Sequence, residues 1–137
     1  MQKGLRCSIT GLKDIDRHPK RIEMYTINRL IAIIKPKQPF FDWIESTPGW
    51  DLDLSLDDIR EDCMALLIPE YGDNDKAMRY IERNCKFIFE MQLSGWYSDP
   101  ATWPEKRTLS IFRKWFDVEI HSLIYDLLEK EIMRKLG

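Results

Sequence analysis

The sequence predicts a small α/β domain, with α+β segregation as the other arrangement, in which a three-stranded sheet is covered by helices in the order β-α-α-β-α-α-β. Three observations point there. Thr26–Ile34 is a β-branched and apolar run in which only Asn28 and Arg29 are strongly polar, the signature of a strand buried on both faces. Cys63–Pro69 is a second short apolar run closed by proline. Between Lys76 and Leu93, Met78, Ile81, Cys85, Ile88, Phe89 and Leu93 recur at three- and four-residue steps, which lays one apolar stripe along a helix.

The elements follow in chain order. Lys35-Pro36 ends the first strand, and Pro39 suits the first turn of a short helix over Phe40–Glu45. Thr47-Pro48-Gly49 stops that helix. Ser55 is an N-cap with Asp58 three residues on, and Asp57 and Glu61 add acids to the positive helix end. After the strand at Cys63–Pro69, Asp73 or Asp75 caps the striped helix, and Gly95 is placed to end it in a left-handed conformation. Asp99-Pro100 opens a further turn, and Thr108–Phe116 reads as helix. Asp117–Leu127 fits both periods; a strand is expected, because a sheet of only two strands would be marginal. Right-handed crossovers would join the strands through their helices.

Length and composition set the frame. A chain of 137 residues with 44% apolar content supports a core without staples. Residues 1–24 carry six Lys/Arg against three acids, and the remaining residues carry 15 basic and 20 acidic groups. We therefore expect a flexible leader or extended start over 1–24 and a single globular domain over 25–137. An acidic body argues against a nucleic-acid partner, whose phosphates require a basic face. No apolar run approaches the roughly 20 residues of a membrane span. Cys7, Cys63 and Cys85 are odd in number and form neither a disulfide framework nor zinc spacing. Cys63 and Cys85 read as buried core residues, and a reducing, cytoplasmic location is expected.

RLIAIIKPKQPFFDW, LIPEY, GWYSDPATWPEKR and WFDVEIHSLIYDL together resemble a set of short, uncharacterised bacterial proteins, over nearly all of the chain from about Asn28 to Leu127. The resemblance implies a bacterial single-domain protein and brings no activity, cofactor or catalytic residue.

The chemistry concentrates between Gly95 and Asp126. Asp117, Glu119 and His121 stand two apart, so on a strand they share a face and span about 13 Å. They are the candidate catalytic set, with His121 as proton shuttle. The contrary reading is a backbone-bonded histidine flanked by solvated acids. Trp96, Tyr97 and Trp103 are candidate ligand-stacking residues, although large aromatics equally build a small core. Lys35 and Lys37 follow the first strand, where an anion could bind. No phosphate loop, dinucleotide fingerprint or nucleophile elbow is present, and no metal or cofactor is implied. The expected function is a non-catalytic cytoplasmic module that binds a protein partner or itself. The alternative is a small enzyme or ligand binder with an aromatic, carboxylate and histidine cleft.

Overall fold

The computed structural model describes residues 23–137; the expected leader falls almost wholly outside the described residues. The described residues are mixed α/β, with five α-helices and five strands in two small antiparallel sheets. Residues 28–124 form one compact unit, and residues 23–27 with 125–137 belong to another.

In the larger unit, β2 (Arg29–Pro36) lies between β3 (Met64–Pro69) and β4 (Phe116–His121). Both neighbours run antiparallel to it, from Arg29↔Pro69 to Ile34↔Met64 on one side and from Ile31↔His121 to Pro36↔Phe116 on the other. Two right-handed crossovers were expected, and the structure departs from this. β3 starts opposite the end where β2 finishes, so α1 (Gln38–Ser46) and α2 (Leu56–Ile59) return the chain to the same end of the sheet. β3 and β4 are parallel to each other with β2 between them. Only the connection from β3 to β4 therefore runs from one end to the other, through α3 (Asn74–Arg83), α4 (Cys85–Ser94), a 3₁₀ turn at Pro100–Thr102 and α5 (Leu109–Trp115).

β2 alternates between fully and partly buried residues instead of being sealed on both faces. Leu30, Ala32 and Ile34 face a core that also contains Phe40, Ile44, Ile68, Ala77, Ile81, Ile88, Phe89, Leu93, Phe112 and Phe116. Every described helix longer than one turn contributes to it. Ile31 and Ile33 lie on the opposite face and are only half-buried. An antiparallel sheet tolerates this, because the helices of its connections can all cover one side. Cys63 precedes β3 and is half-buried, whereas Cys85 is buried as expected.

Local chemistry explains most boundaries. Pro39 lies in the first turn of α1. Gly49, at φ 93°, takes the left-handed turn beyond its end, where a side chain would be strained. Ser55 and Asp58 make a reciprocal capping box on α2, and Asp73 accepts from the Lys76 amide at 2.7 Å to start α3.

The expected continuous helix breaks at Asn84. There the side-chain amide donates to the Tyr80 carbonyl at 2.8 Å, while the Asn84 backbone N–H turns to Ile81. The side chain thus replaces the helical backbone bond, a competition characteristic of asparagine. Gly95 is right-handed at φ −65° and so is not the left-handed cap expected of it. The last expected strand is also shorter than Asp117–Leu127: it ends at His121.

In the other unit, β1 (Tyr25–Thr26) pairs with β5 (Tyr125–Asp126) as a minimal antiparallel ribbon. Residues 127–137 have no helix or strand.

Candidate functional site

Strand alternation decides which candidates meet. On β4, Phe116 is buried and Val118 and Ile120 are half-buried, whereas Asp117, Glu119 and His121 are exposed. The three candidate catalytic residues therefore share the outer face, as their spacing predicts. Antiparallel pairing brings the two candidate lysines to them. Lys35 stands opposite Asp117 yet reaches diagonally to Glu119, Nζ to Oε2 2.9 Å. Lys37 reaches Asp117 at 3.4 Å and donates to the Arg113 carbonyl at 2.8 Å. His121 Nε2 lies 3.3 Å from Glu119 Oε1. The Lys35 hydrogen bond, then the His121 one, hold the Glu119 carboxyl below the usual carboxylate range.

This row is a zipper of alternating charges rather than a cleft. Both lysines are matched by acids, so the anion site expected of Lys35 and Lys37 does not form as a free cationic pair. The His121 side chain is 58% exposed and stands in no enclosed cavity of the described residues. Among the described residues, no group of three or more His, Cys, Asp or Glu side chains is arranged to hold a metal ion.

Trp96, Tyr97 and Trp103 do not join the row. They pack against the helical core, on the other side of the sheet from His121. The polar handles of Tyr97 and Trp103 are spent on backbone. Tyr97 donates to the Ile44 carbonyl at 3.1 Å, and Trp103 Nε1 donates to the Tyr97 carbonyl at 2.8 Å. Trp43, on α1, donates to the Thr102 carbonyl at 2.9 Å and meets the Tyr97 ring edge-on at 5.5 Å. Trp96 stacks obliquely near Trp50, and the Arg107 guanidinium lies over Trp103. These residues lock the 95–103 loop to α1. The expected shared cleft is thus divided by the sheet itself.

Concavity occurs elsewhere. One groove of about 280 Å³ lies between α3, α5 and the start of β4, with Ile81, Phe112 and Val118 among its apolar lining. Lys37 with Asp117 and Arg113 with Glu82 form ion pairs at this groove. Of the candidates from sequence, only Lys37 and Asp117 line it.

A second groove, of about 230 Å³, runs along β3 beside α3 and α4, and no charged side chain lines it. Leu66, Leu67 and Ile68 form one wall, and Tyr80, Asn84, Phe87 and Met91 are on the other. Phe87 is 65% exposed and Leu67 52%.

Register shows what the two edges of the sheet offer. Lys37 N–H donates to the Trp115 carbonyl at 2.7 Å, extending the β2–β4 ladder by one pair. In an antiparallel ladder, hydrogen-bonded pairs alternate. Asp117, Glu119 and His121 therefore bond to β2, and the backbone groups of Val118 and Ile120 point to the outer edge. By the same alternation, even-numbered β2 residues bond β3, so the N–H and C=O groups of Ala65 and Leu67 point away from the sheet. Among the described residues, neither outer edge pairs with a further strand. β4 protects its edge with charge, whereas MALLIP has none and only Pro69 to interrupt it.

This edge is not legible in the sequence. The absence of charge in Cys63–Pro69 was a visible signal, but burial between two strands produces the same composition. Among the described residues, no helix is long and apolar enough to cross a membrane. No family model, curated protein or solved structure matches the chain.

Proposed function

We propose that the protein is a non-catalytic interaction module that adds an extended segment of a protein partner to the free edge of β3. The observation that carries this reading is the charge-free strand Met64–Pro69, bordered by an apolar groove containing an exposed Phe87. Strand addition would satisfy the outward backbone groups of Ala65 and Leu67, and groove contacts would read alternate side chains. The groove calls for an uncharged, apolar segment. Exposed Glu61, Asp62 and Glu70 at the two ends of β3 favour Lys or Arg on its flanks.

The alternative of a small enzyme or ligand binder rests on His121, Asp117 and Glu119. His121 and Glu119 line neither groove, so geometry favours the interaction reading.

The test is selection of displayed random peptides against the full chain, followed by amide hydrogen exchange with the selected peptides bound. We expect protection at Ala65 and Leu67 and an affinity loss of about tenfold or more in Leu67→Lys. Binding that leaves those amides exchanging freely, or that ignores Leu67→Lys, overturns the proposal.

A further inference from the structure

Residues 127–137 pose a separate question, because their sequence favours a conformation they do not adopt. Leu127, Leu128, Ile132, Met133 and Leu136 are all exposed, and the segment contains neither helix nor strand. Leu128, Ile132 and Leu136 are nonetheless spaced by four, and Met133 adds to the same side of a helix. The start signal is already in place. Asp126 is extended and its Oδ1 accepts from the Leu128 amide at 2.9 Å, which is the bond an N-cap residue makes to the second helical position. Glu129, three residues beyond Asp126, completes the sequence pattern of a capping box. Glu131 and Lys135 are four apart in the favourable order.

A helix this short is marginal in water without a surface for its apolar stripe. Its charges suggest the surface. Asp126, Glu129 and Glu131 make the first half acidic despite Lys130, and Arg134 and Lys135 make the second half basic. A parallel partner of the same sequence would set like against like. An antiparallel one sets each acidic half against a basic half and brings Leu128 opposite the partner's Leu136 around Ile132.

We propose that residues 127–136 fold into an amphipathic helix that pairs antiparallel with the same segment of a second copy of this chain. This surface is independent of the β3 edge. It makes helix formation and self-association one equilibrium, in which ordering costs are offset by burial of the stripe.

The test is sedimentation equilibrium and far-ultraviolet circular dichroism of the full chain over a wide concentration range. Wild type is compared with Glu129→Lys/Glu131→Lys, with Arg134→Glu/Lys135→Glu, and with a one-to-one mixture of the two variants. We expect mass and helix content to rise together in wild type. Each variant alone should weaken association by about tenfold, and the mixture should restore it as a heterodimer. Leu67→Lys serves as the control for the β3 edge and should leave this association unchanged. A wild-type mass that stays monomeric overturns the proposal. So does association that depends on Leu67 and ignores the charge reversals, or helix that forms only on anionic vesicles.

Discussion

Phe89 meets three aromatic rings at once: Phe112 at 6.2 Å, Trp115 at 5.2 Å and Phe116, edge-on, at 5.3 Å. It is fully buried, and it ties α4 to α5 and to the start of β4. Phe89→Ala should cost about 3–5 kcal/mol, the usual range for an aromatic truncated inside a packed core, as read from urea denaturation. A cost below about 1 kcal/mol would mean that the cluster repacks freely. Glu119 presents the opposite case, a surface carboxylate whose value depends on pH. Its folded-state pKa is depressed, chiefly by Lys35. The stabilisation is therefore present above the unfolded carboxylate pKa of about 4.3 and lost as pH falls through the lower folded value. The melting temperature of wild type should fall more steeply than that of Glu119→Gln below about pH 4; parallel curves would show that the pair contributes nothing. At this scale the sequence was half legible. Two-residue spacing put Asp117, Glu119 and His121 on one face, as found. Their partner Lys35 was not readable, because a cross-strand contact depends on register, and register is set by the packing of both strands. Size alone made the aromatics from Trp96 to Trp103 legible as candidates for ligand stacking or for core, without deciding between the two. The bonds that hold them, from Tyr97 to the Ile44 carbonyl of α1 and from Trp103 to the Tyr97 carbonyl, were not legible.

Individual elements announce themselves through local chemistry, and their mutual arrangement does not. Ser55, Asp73, Asp99 and Thr108 all cap the turns that follow them, each through a short-range bond that the sequence displays. Ser55→Ala removes the acceptor of the Asp58 amide and leaves only the bond that the residue-55 backbone N–H donates to the Asp58 carboxylate. A loss of about 1 kcal/mol is expected, within the range for caps, measurable as a lowered denaturation midpoint. An unchanged midpoint would show that the single turn of α2 is held by its flanks instead. The break at Asn84 escaped the apolar stripe because both halves keep their core residues in phase, while a single side-chain amide ends the backbone ladder between them. Strand direction escaped for another reason. An apolar run looks the same whether its neighbours are parallel or antiparallel, and only the length and end points of the connections differ. The first connection returns to the end it left and the second crosses, which no periodicity records. The same blindness hides which strand is central, and hence that β3 has a free edge.

Among the described residues, the core is concentrated in one part of the chain. All buried residues of the core cluster fall between Leu30 and Phe116, and both ladders of the three-stranded sheet lie within residues 28–124. A unit of about 100 residues with its own core and sheet meets the usual conditions for independent folding. A protein consisting of residues 28–124 alone should therefore unfold in one cooperative transition and retain mixed helical and sheet dichroism. Its central strand would be the sharpest witness. β2 bonds to a neighbour on each side, so its amides open only with the whole unit, whereas the outward amides of Ala65, Leu67, Val118 and Ile120 exchange from the folded state. Slow exchange along β2 beside fast exchange at those four amides would confirm both the fold of the fragment and the strand order β3-β2-β4. A fragment without a cooperative transition would instead place part of its stability in residues outside 28–124, and fast exchange along β2 in a folded fragment would contradict its central position.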